Sequence, residues 1–136
     1  MRNKIYSYII LLILSILIST KIYSEEIFNF NVSELEVTQD GNLIKGYRGG
    51  EAYTNNGISI KAINFKYNKI TNILSANDDV IFRDKNRKII ITAQEISYEK
   101  NKEKIIAMGN VVIIDKIKKI KIEANKIFYS KYENQI

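Results

Sequence analysis

An internal repeat of 31 residues is the feature that most constrains how this chain folds. Residues of the same type recur at this offset, without a gap, from Ile58 onward. Four rows illustrate it: Ala62, Ala93 and Ala124; Tyr67, Tyr98 and Tyr129; Ile60, Ile91 and Ile122; and Phe65, Ile96 and Ile127. A single unit of this length cannot bury its own apolar face, so we expect the units to stack around one continuous core.

A looser copy of the unit precedes the regular ones. Leu35 and Val37 correspond to Phe65 and Tyr67 at an offset of 30 residues. Gly50-Glu51-Ala52 is matched with Gly109-Asn110-Val111, and the loop between Ala52 and Ile58 is shorter than in the later copies. An irregular first unit is typical of a repeat that caps the stack.

Within each unit the apolar residues alternate with polar ones, which indicates β-strands. Ile58, Ile60 and Ala62 alternate with Ser59 and Lys61, so one face of this strand is buried. After the alanine of each unit the alternation slips, which predicts a bulge or kink at the same place in every unit. The predicted irregularities lie near Asn64, Glu95 and Lys126. No long helical pattern occurs after residue 24, and the predicted fold class is all-β.

The missing residue types exclude several kinds of active site. The chain has no Cys and no His. It therefore cannot build a disulfide framework, a thiolate or Ser–His nucleophile, or a zinc site of the usual kind. Asp78 and Asp79 are adjacent carboxylates, but no other catalytic group converges on them in the sequence. We predict that the protein is not an enzyme and has no cofactor and no metal.

The N-terminus has the pattern of a secretory signal peptide. Arg2 and Lys4 precede an apolar run over residues 9–18, and Ser24 provides a small residue before a cleavage point. We predict a signal peptide over residues 1–24 and one domain over residues 25–136; an uncleaved membrane anchor is the alternative. Either way the domain lies outside the cytoplasm.

After cleavage 18 basic and 15 acidic residues remain, a net charge of +3, which does not favour nucleic acid as a partner.

The ordered series of these motifs resembles the OstA-like family. The segments GISIKAINFKYNKITNILSANDDVIF, KIIITAQEISYEKNKEKIIAMGNVVII and IKIEANKIFYSK are similar to the family pattern. That pattern is a strand ending in Ala, a Tyr five residues later, and a strand leading into Ala-x-Gly-Asn-Val. Residues 107–111 match the last element fully, whereas Asp78 stands where the family has Gly, and Ile63 and Gln94 where an Asp is common. The resemblance covers roughly residues 28–136.

The resemblance implies an open-edged OstA-like β-jellyroll of the LptA type, in the periplasm, either free or associated with the outer membrane. In this family the apolar interior carries the lipid A acyl chains of lipopolysaccharide, and jellyrolls join end to end by strand pairing. The chain is then a periplasmic bridge component or the N-terminal domain of the outer-membrane translocon. The implied lipid-binding residues are Ile58, Ile60, Phe65, Ile89, Ile91, Ile96, Val111, Ile120, Ile122 and Ile127.

Other interpretations of these rows stay open. Apolar rows in a β-protein usually pack against one another, so the main alternative is a structural β-solenoid module with a closed core and no lipid cargo. An anchored assembly factor is a third, if the N-terminal segment is retained. The tyrosines of neighbouring repeat units are expected to stack on one another. The basic turns near residues 85–88 and 116–119 are expected to be solvated rather than bound to lipid phosphates.

The repeat stops in mid-unit at the end of the sequence. Ile136 is equivalent to Ile105, so the strand equivalent to residues 106–114 is missing. Such an end is either an unpaired edge that suits strand addition by a partner, or a sign that the sequence is part of a longer protein.

Overall fold

The computed structural model of the protein describes residues 28–130. The predicted signal peptide over residues 1–24 and the final residue Ile136 lie outside the described residues. The strands are β1 (Asn29–Thr38), β2 (Leu43–Tyr53), β3 (Ile58–Ala62), β4 (Asn64–Asn68), β5 (Ile73–Asp84), β6 (Ile89–Glu99), β7 (Lys104–Asp115) and β8 (Ile120–Ser130), and a 3-10 turn spans Lys100–Lys102.

All eight described strands belong to one antiparallel sheet, in which chain neighbours are mostly sheet neighbours. The order is β1-β2-β3-β5-β6-β7-β8, and β4 pairs with β2 and β5 beside β3. Only Ile63 separates β3 from β4, and each other connection is a turn of four residues. The all-β fold class predicted from the alternation is therefore confirmed.

A line of irregular residues crosses the sheet at mid-strand. In β5, Asp78 and Asp79 are inserted opposite a single residue of β6, and in β7 Gly109 and Asn110 are inserted opposite a single residue of β8. Their φ angles are +67°, +52°, +79° and +48°, respectively. Gly, Asn and Asp adopt this left-handed conformation most readily. Asp78 therefore has the same type of backbone geometry as Gly109, the equivalent residue 31 positions later.

The predicted irregularities near Asn64, Glu95 and Lys126 lie on this line. Ile63 interrupts the strand just before Asn64, and the β6–β7 register shifts between Thr92 and Glu95. Lys126 borders the register shift between β7 and β8. The predicted bulge or kink is therefore confirmed. The extra residues themselves belong to the partner strands β5 and β7, where they lie within an even step that leaves the alternation of inner residues intact.

The first unit also aligns differently from the prediction. Gly50 is paired with Ala62, so it takes the place that Val111 has opposite Ala124. The predicted match of Gly50 with Gly109 is therefore wrong by two residues. That match followed residue type alone, whereas the register is set by the pairing of the strands on either side.

The sheet folds over on itself along the irregular line. Phe82 is paired with Ile91, which precedes Tyr98 by seven residues on β6, or roughly 23 Å along an unbroken strand. The rings of Phe82 and Tyr98 are nevertheless 5.6 Å apart. The sheet thus has two leaves that face each other, with the core between them. The rim of leaf A has the turns 39–42, 69–72 and 100–103, and the rim of leaf B has the turns 54–57, 85–88 and 116–119.

Equivalent turns at the rim of leaf B have the same hydrogen bonds. Asp84 Oδ1 accepts bonds from the backbone N–H groups two and three residues ahead, at 2.9 and 3.0 Å, and Asp115 does the same in the next turn. The backbone N–H of Lys116 donates to the carbonyl oxygen of Lys88 at 3.1 Å. Neighbouring turns are therefore joined directly, which fixes the rim.

Candidate functional site

The inner faces of the two leaves form the core, and they contain all of the candidate lipid-binding residues. Most of these side chains are buried, and Ile60 and Ile91 have no exposed surface. The buried candidates are Ile58, Ile60, Phe65, Ile89, Ile91, Ile96, Val111 and Ile127. Over most of the sheet the two leaves are therefore packed against each other as a closed core.

The last strand differs, because the half of β8 in leaf B is not covered. Ile120 is 44% exposed and Ile122 is half-buried. Ile122 is paired with the buried Ile113, so these side chains continue the inner apolar face. A cleft of about 60 Å³ lies beside them, and Ile89 and Tyr129 also line it. This cleft is the accessible part of the predicted site.

Aromatic rings close the space between the rims near the first strand. The ring of Phe28 lies 5.2 Å from that of Tyr67 and 6.1 Å from that of Tyr98, both in edge-to-face geometry. Phe28 is only 3% exposed. Sequence reasoning missed it because it precedes the repeat; its alternation with Phe30 and Val32 is the signal that could have found it.

A second cavity, of about 190 Å³, lies between the rims beside Tyr98. Residues of both leaves line it, and the lining is partly apolar and partly polar. The apolar residues include Ile58, Phe82 and Ile105, and the polar residues include Asn56, Asn86, Arg87 and the carboxylates Asp84 and Glu103. An amphiphilic lining of this kind suits a ligand with one apolar and one polar end.

A hydrogen bond between the leaves involves residues that line these cavities. Arg87 Nη1 donates to Tyr129 Oη at 2.8 Å, and Arg87 Nε lies 3.9 Å from Asp84 Oδ2. Tyr129 lines both cavities. The bond joins the rim of leaf B to the half of β8 in leaf A. This bond could not be predicted from the sequence, because the two residues are 42 positions apart and lie at different places in the repeat.

The tyrosines of the repeat do not stack on one another as predicted. Leu74 is paired with both Tyr67 and Tyr98, and so lies between them. Equivalent residues are two strands apart, about 9.5 Å, which is too far for ring stacking. The rings of Tyr67 and Tyr98 contact phenylalanines instead, and Tyr67 Oη donates a hydrogen bond to Asn72 Oδ1 at 2.8 Å. The predicted stacking was therefore wrong.

The adjacent carboxylates lie away from both cavities. Asp78 and Asp79 are exposed on the irregular line, where Asp78 Oδ2 accepts a hydrogen bond from Asn64 Nδ2 at 3.0 Å. Residues 28–130 contain no cluster of three or more acidic side chains that could hold a metal ion. The same residues include no helix with the length and apolar character needed to span a bilayer.

Neither a protein-family model nor a curated protein matches the sequence. The geometry of the inner face is therefore the main guide to function. It combines a closed core with an uncovered apolar end at β8, which is a surface that can hold hydrocarbon.

Proposed function

We propose that the protein binds the acyl chains of lipopolysaccharide on its inner face and helps to carry this lipid to the outer membrane without chemical change. The observation that carries the proposal is the uncovered apolar surface of β8, where Ile120 and Ile122 border a cleft that opens from the core. The protein acts as a periplasmic bridge component or as the N-terminal domain of the outer-membrane translocon. The signal peptide predicted over residues 1–24 supports export.

The size of the uncovered surface favours modest affinity. Burying one methylene contributes about 0.8 kcal/mol, so about four methylenes contribute about 3 kcal/mol. A carrier needs such a balance, because a chain that is held too tightly is not passed on. Farther inside, Ile60 and Ile91 are fully buried, so a chain reaches them only if the leaves separate. We therefore place the bound chain along β8.

End-to-end pairing with another OstA-like jellyroll extends the same face. In the described part of the chain, β1 and β8 each have a neighbour on one side only. A β-strand added to such an edge gains backbone hydrogen bonds. A strand added to β8 places its inner side chains beside Ile120 and Ile122. The two-leaved sheet then acts as one open-edged jellyroll unit in a longer stack of 31-residue repeats.

The second candidate function is a structural interaction module with no lipid cargo. The complete burial of Ile60 and Ile91 and the closure of the rims by Phe28 favour it. In that case the exposed part of β8 is only the surface on which a partner strand packs.

A pair of matched aspartate substitutions tests the proposal. Ile120 is 44% exposed on the inner face and Ile114 is 37% exposed on the outer face. The exported protein is purified and titrated with lipopolysaccharide, and complexes are detected by native mass spectrometry. We expect Ile120→Asp to weaken binding by about tenfold or more, because the new carboxylate takes the place of apolar lining. Ile114→Asp should leave binding unchanged.

Two results would contradict lipid transport. If the unmodified protein does not bind lipopolysaccharide, the closed module is the better interpretation. Equal weakening by both substitutions would mean that binding depends on net charge and not on the inner face.

A further inference from the structure

The positive charge of the protein is concentrated at the rim of leaf B. Residues 83–88 and 115–121 contain eight Lys or Arg and two Asp, a net charge of +6. At the rim of leaf A, residues 39–42, 68–73 and 99–104 contain four Lys and three acidic residues, a net charge of +1. An excess of one sign along one rim attracts an anionic partner to that rim.

Four of these cations surround a cavity of about 250 Å³ between the turns 85–88 and 116–119. They are Arg83, Lys85, Lys88 and Lys116, and Ile89 and Ile90 form the apolar part of the wall. Within residues 28–130 none of the four lies within 4.0 Å of a carboxylate oxygen.

The one carboxylate in the wall of this cavity is already engaged. Asp84 Oδ1 accepts two backbone hydrogen bonds of its own turn, and Asp84 Oδ2 faces Arg87 Nε at 3.9 Å. The four cations of the cavity therefore outnumber its one carboxylate, and the excess positive charge suits a dianionic group.

The cationic cavity adjoins the apolar cleft at β8. Ile89 lines both the cavity and the cleft. Lys116 lines the cavity and Lys118 lines the cleft, and these two lysines belong to the same turn. One molecule with an anionic head and an acyl chain can therefore reach both sites across the rim. A free anion would bind only in the cationic cavity.

We propose that this cavity binds a phosphate monoester, and that the monoester is the headgroup of the acylated lipid whose chain lies at β8. The inference rests on the proposed function and adds the headgroup site to it. A phosphate monoester carries nearly two negative charges at neutral pH. Lysine and arginine side chains bind it as point charges and by charge-assisted hydrogen bonds.

Titration calorimetry on the exported protein tests this site with three probes. They are monomeric dihexanoylphosphatidic acid, dihexanoylphosphatidylcholine with the same chains but no net charge, and inorganic phosphate. We expect Lys88→Ala with Lys116→Ala to weaken phosphatidic acid binding by about tenfold and to leave phosphatidylcholine binding unchanged. The matched control is Lys66→Ala with Lys104→Ala, which removes the same charge from exposed positions in leaf A and should change neither.

Three outcomes overturn the proposal. The first is equal weakening by the control pair, which would show an effect of net charge alone. The second is inorganic phosphate binding as tightly as phosphatidic acid, which would indicate a site for a free anion. The third is no binding of phosphatidic acid above that of phosphatidylcholine.

A further variant separates this inference from the proposed function. Ile120→Asp should weaken the binding of both lipids and leave the binding of inorganic phosphate unchanged. If Ile120→Asp has no effect while the Lys88 and Lys116 substitutions do, the phosphate site stands and the acyl site at β8 is wrong.

Discussion

The two end strands of the sheet leave opposite halves of the inner face uncovered. In β1 the leaf B end is closed by Phe28, whereas Leu35 and Val37 in leaf A are 51% and 52% exposed. In β8 the leaf A half is closed, since Ile127 is 5% exposed, whereas Ile120 in leaf B is 44% exposed. The uncovered surfaces therefore lie diagonally across the molecule.

This difference shows what closes the inner face. Ile89 and Ile120 are equivalent residues of the same type, yet their exposed fractions are 7% and 44%. Ile89 has strands on both sides and Ile120 has β7 on one side. At the first strand the ring of Phe28, which lies outside the repeat, supplies the cover instead. Burial of an inner residue thus depends on its neighbour, not on its place in the repeat.

The largest loss of stability is expected for Gly50→Ala, which disrupts the packing of β1 against β2. A Cβ at Gly50 would lie 2.6 Å from Val32 Cα and closer still to the Asn31 carbonyl oxygen, and the φ angle is +152°. Because these neighbours are backbone atoms, β1 must move away. We expect a loss of about 3–4 kcal/mol in the free energy of unfolding, measured by urea denaturation.

Gly41→Ala is the control for this substitution. Gly41 has a φ angle of +86° and nothing within 4 Å of its Cβ position, so only backbone strain of about 1 kcal/mol is expected. Equal losses for both variants would show that the close approach of β1 to Gly50 is unimportant.

Truncating the covering ring is expected to have the next largest effect. Phe28→Ala removes the edge-to-face contacts with Tyr67 and Tyr98 and leaves a cavity, at a cost of about 3 kcal/mol. Ile120→Ala, at the uncovered end, should cost less than about 1 kcal/mol. The urea midpoints of the two variants measure this difference. Similar losses of stability for both variants would contradict the claim that the inner face is covered near β1 and uncovered at β8.

A smaller effect is expected for the hydrogen bond between the leaves. Tyr129→Phe removes the acceptor of the Arg87 Nη1 bond, which should reduce the free energy of unfolding by about 1 kcal/mol. Tyr53→Phe, at a residue that is 41% exposed, serves as the control. If both variants unfold at the same urea concentration as the unmodified protein, the bond does not hold the leaves together.

The smallest effect is the pH dependence of the β1–β2 pairing. The hydrogen bond from Tyr47 and then the interaction with Lys45 lower the pKa of Glu36, and both partners lie on β2. A lowered pKa stabilises the folded state at pH values above the ordinary Glu pKa of about 4.3. This contribution is lost as the pH falls through the lowered pKa. Glu36→Gln should therefore lose less stability than the unmodified protein between pH 6 and pH 3.

Tyr47→Phe removes the main cause and should flatten the pH dependence in a similar way. The double variant should show no further change, since the two residues act through one contact. Urea midpoints at the two pH values measure this. A fully additive double variant would mean that Glu36 and Tyr47 act separately. The Glu123–Lys121 pair lies within β8, so its protonation should not alter the β7–β8 pairing.

Much of the fold could be predicted from local pattern, because strand alternation and turn chemistry are local properties. Ile58, Ile60 and Ala62 alternate with polar residues in the sequence and form β3 in the structure. The insertion of Asp78 and Asp79 in β5 could not be predicted from the alternation, because its even step leaves the alternation intact. The position of the inserted residues is indicated by residue type, since Asp adopts positive φ angles readily, and not by periodicity.

The closure of the site could not be predicted, because it depends on contacts between distant parts of the chain. Ile89 and Ile120 are identical in local pattern, and only the strand order makes one buried and the other exposed. The Arg87–Tyr129 bond and the packing of Phe28 against Tyr98 arise when the leaves face each other. Side chains brought together by folding of the whole sheet leave no signal at a fixed spacing.

The most direct test of the central claim is photo-crosslinking in living cells with p-benzoylphenylalanine at position 122 and, separately, at position 114. Ile122 is half-buried on the inner face of β8, and Ile114 is exposed on the outer face of β7. We predict a lipopolysaccharide adduct at position 122 and none at position 114. Adducts at both positions, or at neither in a folded and exported protein, would contradict the claim that the inner face at β8 holds the acyl chain.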